Sequence, residues 1–324
     1  MQIPPALRLA LDACLDERPL DGLRSEGARL SQRYRTETRD GKRHLDGEAA
    51  VLAYLAARMP ATFAAARASL AAVAERQPDF APRTLLDVGA GPGTGLWAAR
   101  DTFGSLRGAT LVEASRPAIA VGRTLWETGP EDAGLGVEWI EADLLAGLAA
   151  REAADLVSLA YVLDELPPAA IPRLVADLWR LTSGVLVIVE PGTTAGWRRI
   201  LAARDQLLAA GGVILAPCPH AGACPLAAPD WCHFAQRVER SRTHRLTKGG
   251  TVPYEDEKYI YLAVARAPAE PPAARVLAPP RSGSGKVQLK LCTADAALEQ
   301  RLVTRREGDA FRKARRLERG DAWE

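Results

Sequence analysis

The stretch LLDVGAGPGTG, residues 85–95, constrains the fold more than any other part of the chain. A short apolar run closing on Asp87 and Val88 reads as a buried strand. Glycines follow at 89, 91, 93 and 95, and GTGLWAARDTF then reads as a helix. Glycines at alternate positions let the backbone turn sharply, and they let a ligand approach where side chains would block it. A strand that is apolar on both faces needs covered, parallel neighbours.

Those neighbours are visible downstream. GATLVEAS, GVEWIEAD, ADLVSLAYVLDEL and SGVLVIVEPGT each hold a strand candidate. Between and after them lie the helical stretches RPAIAVGRTLWE, a helix after Pro167 and Pro168, and AGWRRILAARDQLLAAG. Proline in a helix's first turn is ordinary, since its φ is preset and its missing N–H is not needed there. Strand and helix alternating through short links predict an α/β fold with a doubly wound, Rossmann-like sheet over residues 81–210.

Residues 1–80 predict a helical region instead. AAVLAYLAARMPATFAAARASLAAVAERQ is apolar at helical spacing, while GARLSQRYRTETRDGKRHL reads as a helix end and an exposed loop. Residues 211–266 hold a cysteine-rich insertion and a last core strand, DEKYIYLAVAR. Residues 267–324 read as a Pro/Gly/Ser linker, the short strand KVQLKLC and a basic helical tail. No internal repeat is visible.

Bulk properties narrow the class further. With 324 residues, 48% hydrophobic and 25% charged, the chain can bury a sizeable core. A formal net charge of +2 excludes a general polycation, so any nucleic-acid surface must come from local clustering. The start, MQIPPALRLALDACLDERPL, carries Asp12, Asp16 and Glu17 and lacks the basic-then-apolar pattern of a secretory signal. No apolar run reaches the roughly 18 residues of a membrane span. Five cysteines in so long a chain argue against a disulfide scaffold, so reduced thiols and a cytoplasmic location are expected.

The glycine spacing differs from the dinucleotide fingerprint, which places two residues between its second and third glycines. Gly-x-Gly-x-Gly with Asp87 two residues ahead resembles motif I of the class I S-adenosylmethionine-dependent methyltransferases. That resemblance implies cofactor contacts at Asp87, Gly89, Gly91 and Gly93. It implies that Glu113, closing the second strand, meets the ribose hydroxyls, and that Asp143, after the third, meets the adenine amine. A carboxylate accepts two hydroxyl bonds, so Glu113 is chemically suited. A nicotinamide cofactor is the alternative, and a merely structural turn the plainest reading.

The acceptor end is less informative. Methyl transfer needs alignment, exclusion of water and, for weak nucleophiles, a base. In such sheets these groups sit beyond the fourth strand, here SLAYVLDELPP. The segment has neither an Asn/Asp-Pro-Pro-aromatic signature nor a cysteine nucleophile. Tyr161, Asp164 and Glu165 are its polar groups, and strand-end or helix-cap roles suit them equally.

The cysteines are the other signal. Cys218, Cys224 and Cys232 follow Cys-x5-Cys-x7-Cys in a proline-rich stretch, a spacing unlike zinc-finger knuckles. Three thiolates leave a tetrahedral site one ligand short. Cys292, His220, His233 and Cys14 are candidates for the fourth, and Cys14 reads as a core residue in a helix. Zinc and an iron–sulfur cubane suit four thiolates equally.

CPHAGACPL and WCHFAQR, downstream of the glycine turn and before a lone LKLC, resemble the methyltransferase-like factors that assemble the mitochondrial small ribosomal subunit, and their bacterial relatives. The resemblance runs from RLSQRYR to the basic tail, and the cysteine block is its most specific part. It implies a [4Fe-4S] cluster on Cys218, Cys224, Cys232 and Cys292. It also implies association with the small subunit and its RNA, through either methylation or a non-catalytic assembly role.

Basic residues fit such a partner. RVERSRTHRLTKGG holds Arg237, Arg240, Arg242, Arg245 and Lys248. On one tail helix, Arg305, Arg312, Arg316 and Arg319 would share a stripe suited to RNA phosphates. A solvated helix balanced by Glu307, Asp309 and Glu318 is the alternative.

Overall fold

The computed structural model describes residues 1–16, 18–36, 44–129, 134–148, 151–248 and 251–324. The polar stretch 37–43, expected as an exposed loop, lies outside them. Four helices come first: α1 (Pro5–Leu15), α2 (Leu20–Thr36), α3 (Glu48–Ala57) and α4 (Met59–Arg76). The alternating region follows as β1 (Thr84–Val88), α5 (Thr94–Thr102), β2 (Gly108–Glu113), α6 (Arg116–Thr128), β3 (Gly136–Glu141), β4 (Ala154–Ala160), α7 (Ile171–Arg180), β5 (Thr182–Pro191), α8 (Thr194–Ala209) and β6 (Val213–Ala216). Then come β7 (Phe234–Glu239), α9 (Arg242–Lys248), β8 (Tyr254–Ala265), β9 (Ala274–Val276), β10 (Arg281–Gly283), β11 (Lys286–Thr293), β12 (Leu298–Thr304), α10 (Asp309–Ala314) and β13 (Ala322–Trp323).

The main sheet runs β3-β2-β1-β4-β5-β8-β6, with β7 on the first half of β8. β1 to β5 are parallel, and β8 is antiparallel to both β5 and β6. Strands at the centre are buried on both faces, which is why they read as continuous apolar runs. Leu85, Leu86 and Val88 of β1 and Val185 to Val189 of β5 are all buried. α4 is alanine-rich and buried along most of its length, so it packs closely against α5 and β8. Ser115 and Thr193 cap α6 and α8 by accepting the Ala118 and Gly196 N–H groups. No single described helix is long and apolar enough to cross a membrane.

The C-terminal region differs from expectation. The segment read as a linker contains β9 and β10, and the expected helical tail contains β12, β13 and only the six-residue α10. These strands and β11 form a second, antiparallel sheet with its own core. Val276, Val287, Leu289, Leu291 and Val303 line one face, and Phe311 and Ala314 of α10 cover it. The period-two spacing of Val287, Leu289 and Leu291 makes β11 a half-buried strand. The arginine stripe therefore does not exist. Arg305 lies in a 3-10 turn, Arg312 on α10, and Arg316 and Arg319 beyond its end.

Burial sorts the leucines by consequence. Leu111→Ala, at a fully buried position in β2, is expected to lower stability by about 2–5 kcal/mol. Leu302→Ala, on exposed β12, is expected to change it by less than about 0.5 kcal/mol. Urea denaturation at constant slope measures both.

Candidate functional site

A cavity of about 1020 Å³ opens at the carboxyl ends of β1, β2, β3 and β4. The strand order reverses between β1 and β4, where open α/β sheets bind ligands. The glycine turn forms its floor. Gly89, Gly91 and Gly93 have φ of 66°, 53° and 86°, a region that side chains rarely adopt. A Cβ on Gly89 would come within 2.4 Å of Val162 Cγ2, so no other residue fits there without movement. Gly89 and Gly91 line the cavity; Gly93 instead precedes α5 and packs against Trp139.

Asp87 lies beneath the turn and is almost wholly buried. Its Oδ1 accepts the Ser158 hydroxyl at 2.5 Å. Burial pushes its carboxyl up to about 7, against the opposing hydrogen bonds from Ser158 and the Leu96 N–H. Glu113 ties two turns together. Its Oε2 accepts the Gly91 N–H at 2.8 Å, and its Oε1 accepts those of Ala114 and Ser115 at 2.8 and 2.7 Å. Burial raises its pKa despite these three donors. Asp143 lines the cavity and caps a 3-10 turn, accepting the Leu145 N–H at 2.9 Å.

At the acceptor end, Tyr161 and Glu165 line the cavity, but Asp164 does not. Asp164 is buried, and its negative charge bears on Glu190, whose carboxyl is pushed up to about 8 chiefly by burial. Tyr161 has φ of 60°, an outlier for an aromatic residue. Its hydroxyl donates to Glu257 Oε1 at 2.9 Å, and Arg58 grips the same carboxylate at 3.1 and 3.4 Å. His44 Nδ1 stands 3.0 Å from Glu165 Oε2 and closes one side of the cavity. The sequence reading missed His44, Arg58 and Glu257. An acidic residue inside the apolar strand candidate DEKYIYLAVAR was the one available signal for Glu257.

A second, small cavity of about 30 Å³ is lined by Cys218, Cys224, Cys232 and Cys292 together. The first three come from the loop between β6 and β7, and Cys292 from β11 of the second sheet. Cys14 packs against the main core from α1. His220 Nε2 is 3.3 Å from Cys292 Sγ, while His233 stacks on Trp231. Burial pushes the thiols of Cys218 and Cys232 up and that of Cys292 up to about 12. Four soft donors around an apolar hollow are the donor set of zinc or an iron–sulfur centre. Among the described residues, no three of His, Cys, Asp or Glu converge to hold a single metal ion. The buried guanidiniums of Arg204 and Arg275 line the same hollow, and the Nε of the first and an Nη of the second lack hydrogen-bond partners. Unspent donors beside four thiols suit an anionic thiolate centre.

Parallel strands in this order, a reversed strand next to the edge, and a glycine turn under the switch-point cavity define a Rossmann-like fold of the class I methyltransferase superfamily. The chain belongs to the family described as mitochondrial small ribosomal subunit Rsm22, whose model matches residues 48–324. It is 31% identical over 285 residues to the human mitochondrial ribosome assembly protein METTL17, covering 83% of this chain and 61% of that protein. It is 29% identical over 191 residues to an Rsm22-cox11 tandem protein of Schizosaccharomyces pombe, covering 45% of this chain and 25% of that one. Among solved structures, it is similar to the magnesium protoporphyrin IX methyltransferase of Synechocystis with bound SAM. There the identity is 15% and the TM-score 0.43, over 76% of this chain and 94% of that one.

These matches correct the expected cytoplasmic location, since the family and both relatives are mitochondrial by name. The acid-bearing start spoke only against a secretory signal, and reduced thiols do not distinguish one reducing compartment from another.

The buried acids give a pH dependence. Asp87 and Glu190 have folded values near 7 and 8, against about 3.9 and 4.3 unfolded. Between these limits the folded chain binds more protons. The contribution of these two acids to stability is therefore expected to be fully present below about pH 4 and to fall as pH rises from about 4 to about 8. Asp87→Asn and Glu190→Gln should each flatten that slope in urea denaturation at a series of pH values.

Proposed function

We propose that the chain binds S-adenosylmethionine in the large cavity and acts in assembly of the small ribosomal subunit. The glycine turn fastened to Glu113 at the strand switch point carries this reading. Three backbone bonds leave Glu113 one acceptor position of roughly four for a ribose hydroxyl. Asp87, Gly89, Gly91, Gly93, Glu113 and Asp143 are the proposed cofactor residues, with Gly93 acting through the turn's shape. The family description and the human relative's name support the ribosomal role. The chain spans 61% of that relative's length, so the role is carried over as a proposal.

Methyl transfer to ribosomal RNA or protein is the second reading. The cavity favours it by continuing past the glycine turn to Tyr161, Glu165 and Pro167. Against it, the Tyr161 hydroxyl is already held by Glu257, and Glu165 faces His44. Calorimetry with S-adenosylmethionine should give saturable binding that Gly91→Arg abolishes; no heat from the parent chain would sink the cofactor reading. Labelled methyl transfer to immature small subunits then separates the two. Transfer lost in Gly91→Arg supports the enzyme, and cofactor binding without transfer supports the assembly factor.

The second site is proposed to hold a [4Fe-4S] cluster on Cys218, Cys224, Cys232 and Cys292, with zinc as the alternative metal. The common hollow and its two buried cations support an anionic thiolate centre. Anaerobic purification should yield a coloured protein containing iron and sulfide. A colourless protein with one zinc would replace the cluster by zinc, and Cys292→Ser should deplete the metal more than Cys14→Ser.

For an RNA partner, we infer a different surface from the expected stripe. Arg237 is paired with Asp256, Arg240 with Glu255 and Arg312 with Asp309, and the side chains of Arg242 and Lys248 lie outside the description. Arg281, Lys286, Arg305 and Arg306 gather instead at one end of the second sheet, all exposed. Lys286 pairs in register with both Gly283 and Thr304, and the Arg305 N–H donates to the Gly285 carbonyl. Cations on a sheet end, without ion-pair partners among the described residues, suit phosphates. Replacing all four by Gln should weaken binding to small-subunit RNA and reduce its salt dependence, as read by filter binding at several salt concentrations.

A further inference from the structure

Two buried guanidiniums stand beside the thiols. Arg204, on α8, is 1% exposed. Its Nη2 donates to the carbonyls of His220 and Gly222 at 3.0 and 2.6 Å, fastening the cysteine loop. Its Nη1 pairs with the exposed carboxylate of Asp205 at 3.1 Å. Its Nε has no hydrogen-bond partner. Arg275, on β9, is 4% exposed and stands opposite Cys292 in the sheet register. Its Nε donates to the Pro217 carbonyl at 2.8 Å and its Nη1 to that of Gly320 at 2.7 Å. One Nη has no partner, and none of its hydrogen bonds goes to a carboxylate.

Burying a cation without an anion is strongly unfavourable, and a methionine would fill the same volume without that penalty. Arg275 has no carboxylate partner among the described residues, and Arg204 has only the exposed Asp205, so the hollow is where an anion would balance them best. Four thiolates around a core of charge +2, whether zinc or an oxidised cubane, leave two negative charges. Arg275 and Arg204, the latter shared with exposed Asp205, set positive charge against them. Arg319 adds a third, half-buried cation: it contacts His233 and bears electrostatically on Cys232.

We propose that Arg204 and Arg275 are the built-in counter-cations of the thiolate centre, retaining it in the protein and, for a cluster, raising its reduction potential. This rests on the metal-centre reading above. One-electron reduction adds a negative charge to the centre and breaks no bond, so nearby cations favour the reduced form. The residues hold the centre through charge and are positioning residues, not ligands.

The test uses the full chain isolated anaerobically, with Arg275→Met, Arg275→Lys, Arg204→Met and the exposed control Arg123→Met. Iron and sulfide per chain, the midpoint potential in a mediated dithionite titration, and the rate of metal loss to a chelator are measured. Arg275→Met and Arg204→Met are expected to shift the potential downward and to lose metal several-fold faster. Arg275→Lys should recover most of both properties, and Arg123→Met should match the parent. Unchanged potential and loss rate in both methionine variants at full metal content would overturn the proposal. Should Arg275→Met fail to fold, Arg204→Met and Arg275→Lys carry the comparison. A parent chain holding one zinc and no iron ends the cluster reading alone, because zinc release still compares the variants. A parent that takes up no metal overturns both.

Discussion

Glu113 accepts three backbone N–H groups, from Gly91 on one turn and from Ala114 and Ser115 on the next. A carboxylate so placed fixes the distance between the first two β–α crossings, and the cavity floor takes its shape from that distance. The glycine turn can lie that close only because Gly89, Gly91 and Gly93 adopt left-handed backbone. Beneath them Asp87 meets Ser158 of β4, so the neighbouring strand is tied to the same turn. The Tyr161–Glu257–Arg58 network then closes the far side by joining β4's end to β8 and the start of α4. Each wall of the cavity is thus held by a charged or polar side chain that is already occupied, which leaves a preformed hollow with few free groups.

That occupancy bears on function. A transferase acting on a weak nucleophile needs a base within hydrogen-bond reach of the proton it removes. Tyr161 gives its own proton to Glu257, burial keeps its phenol protonated far above neutral pH, and Arg58 holds the acceptor carboxylate. A hollow whose polar groups are largely engaged with each other offers few of them as a base for proton abstraction.

Legibility in the sequence followed the range of the contacts. β1 to β5 were readable because burial on both faces leaves unbroken apolar runs such as Leu85–Val88 and Val185–Val189. Gly89, Gly91 and Glu113 were readable because a strand end places them next to a recognisable run. Glu257 was not, since it reaches Tyr161 across 96 positions, and His44 and Arg58 arrive from the helical region before the sheet. The second sheet was misread for a different reason. β12 buries only Val303, so LEQRLVT has neither helical nor strand periodicity, and β9 is three residues in a proline-rich stretch. Cys292 could be singled out as a cysteine, but nothing local marks Arg275 as buried opposite it.

The second sheet also explains why the cysteine block is spread so widely along the chain. A local finger would stabilise only its own loop, whereas Cys292 and Arg275 belong to a sheet whose separate core contains few large apolar residues. So small a core gives limited stability on its own. Arg275 reaching the Pro217 carbonyl, and Lys290 paired with Asp230, fasten that sheet to the cysteine loop, while Arg204 fastens the loop to α8. A metal bound by all four thiols would add its binding energy to this junction, because no preformed site exists in the unfolded chain. Loss of such a metal would then loosen the sheet that carries Arg281, Lys286, Arg305 and Arg306 while leaving the hollow over the glycine turn, built on a different part of the main sheet, intact.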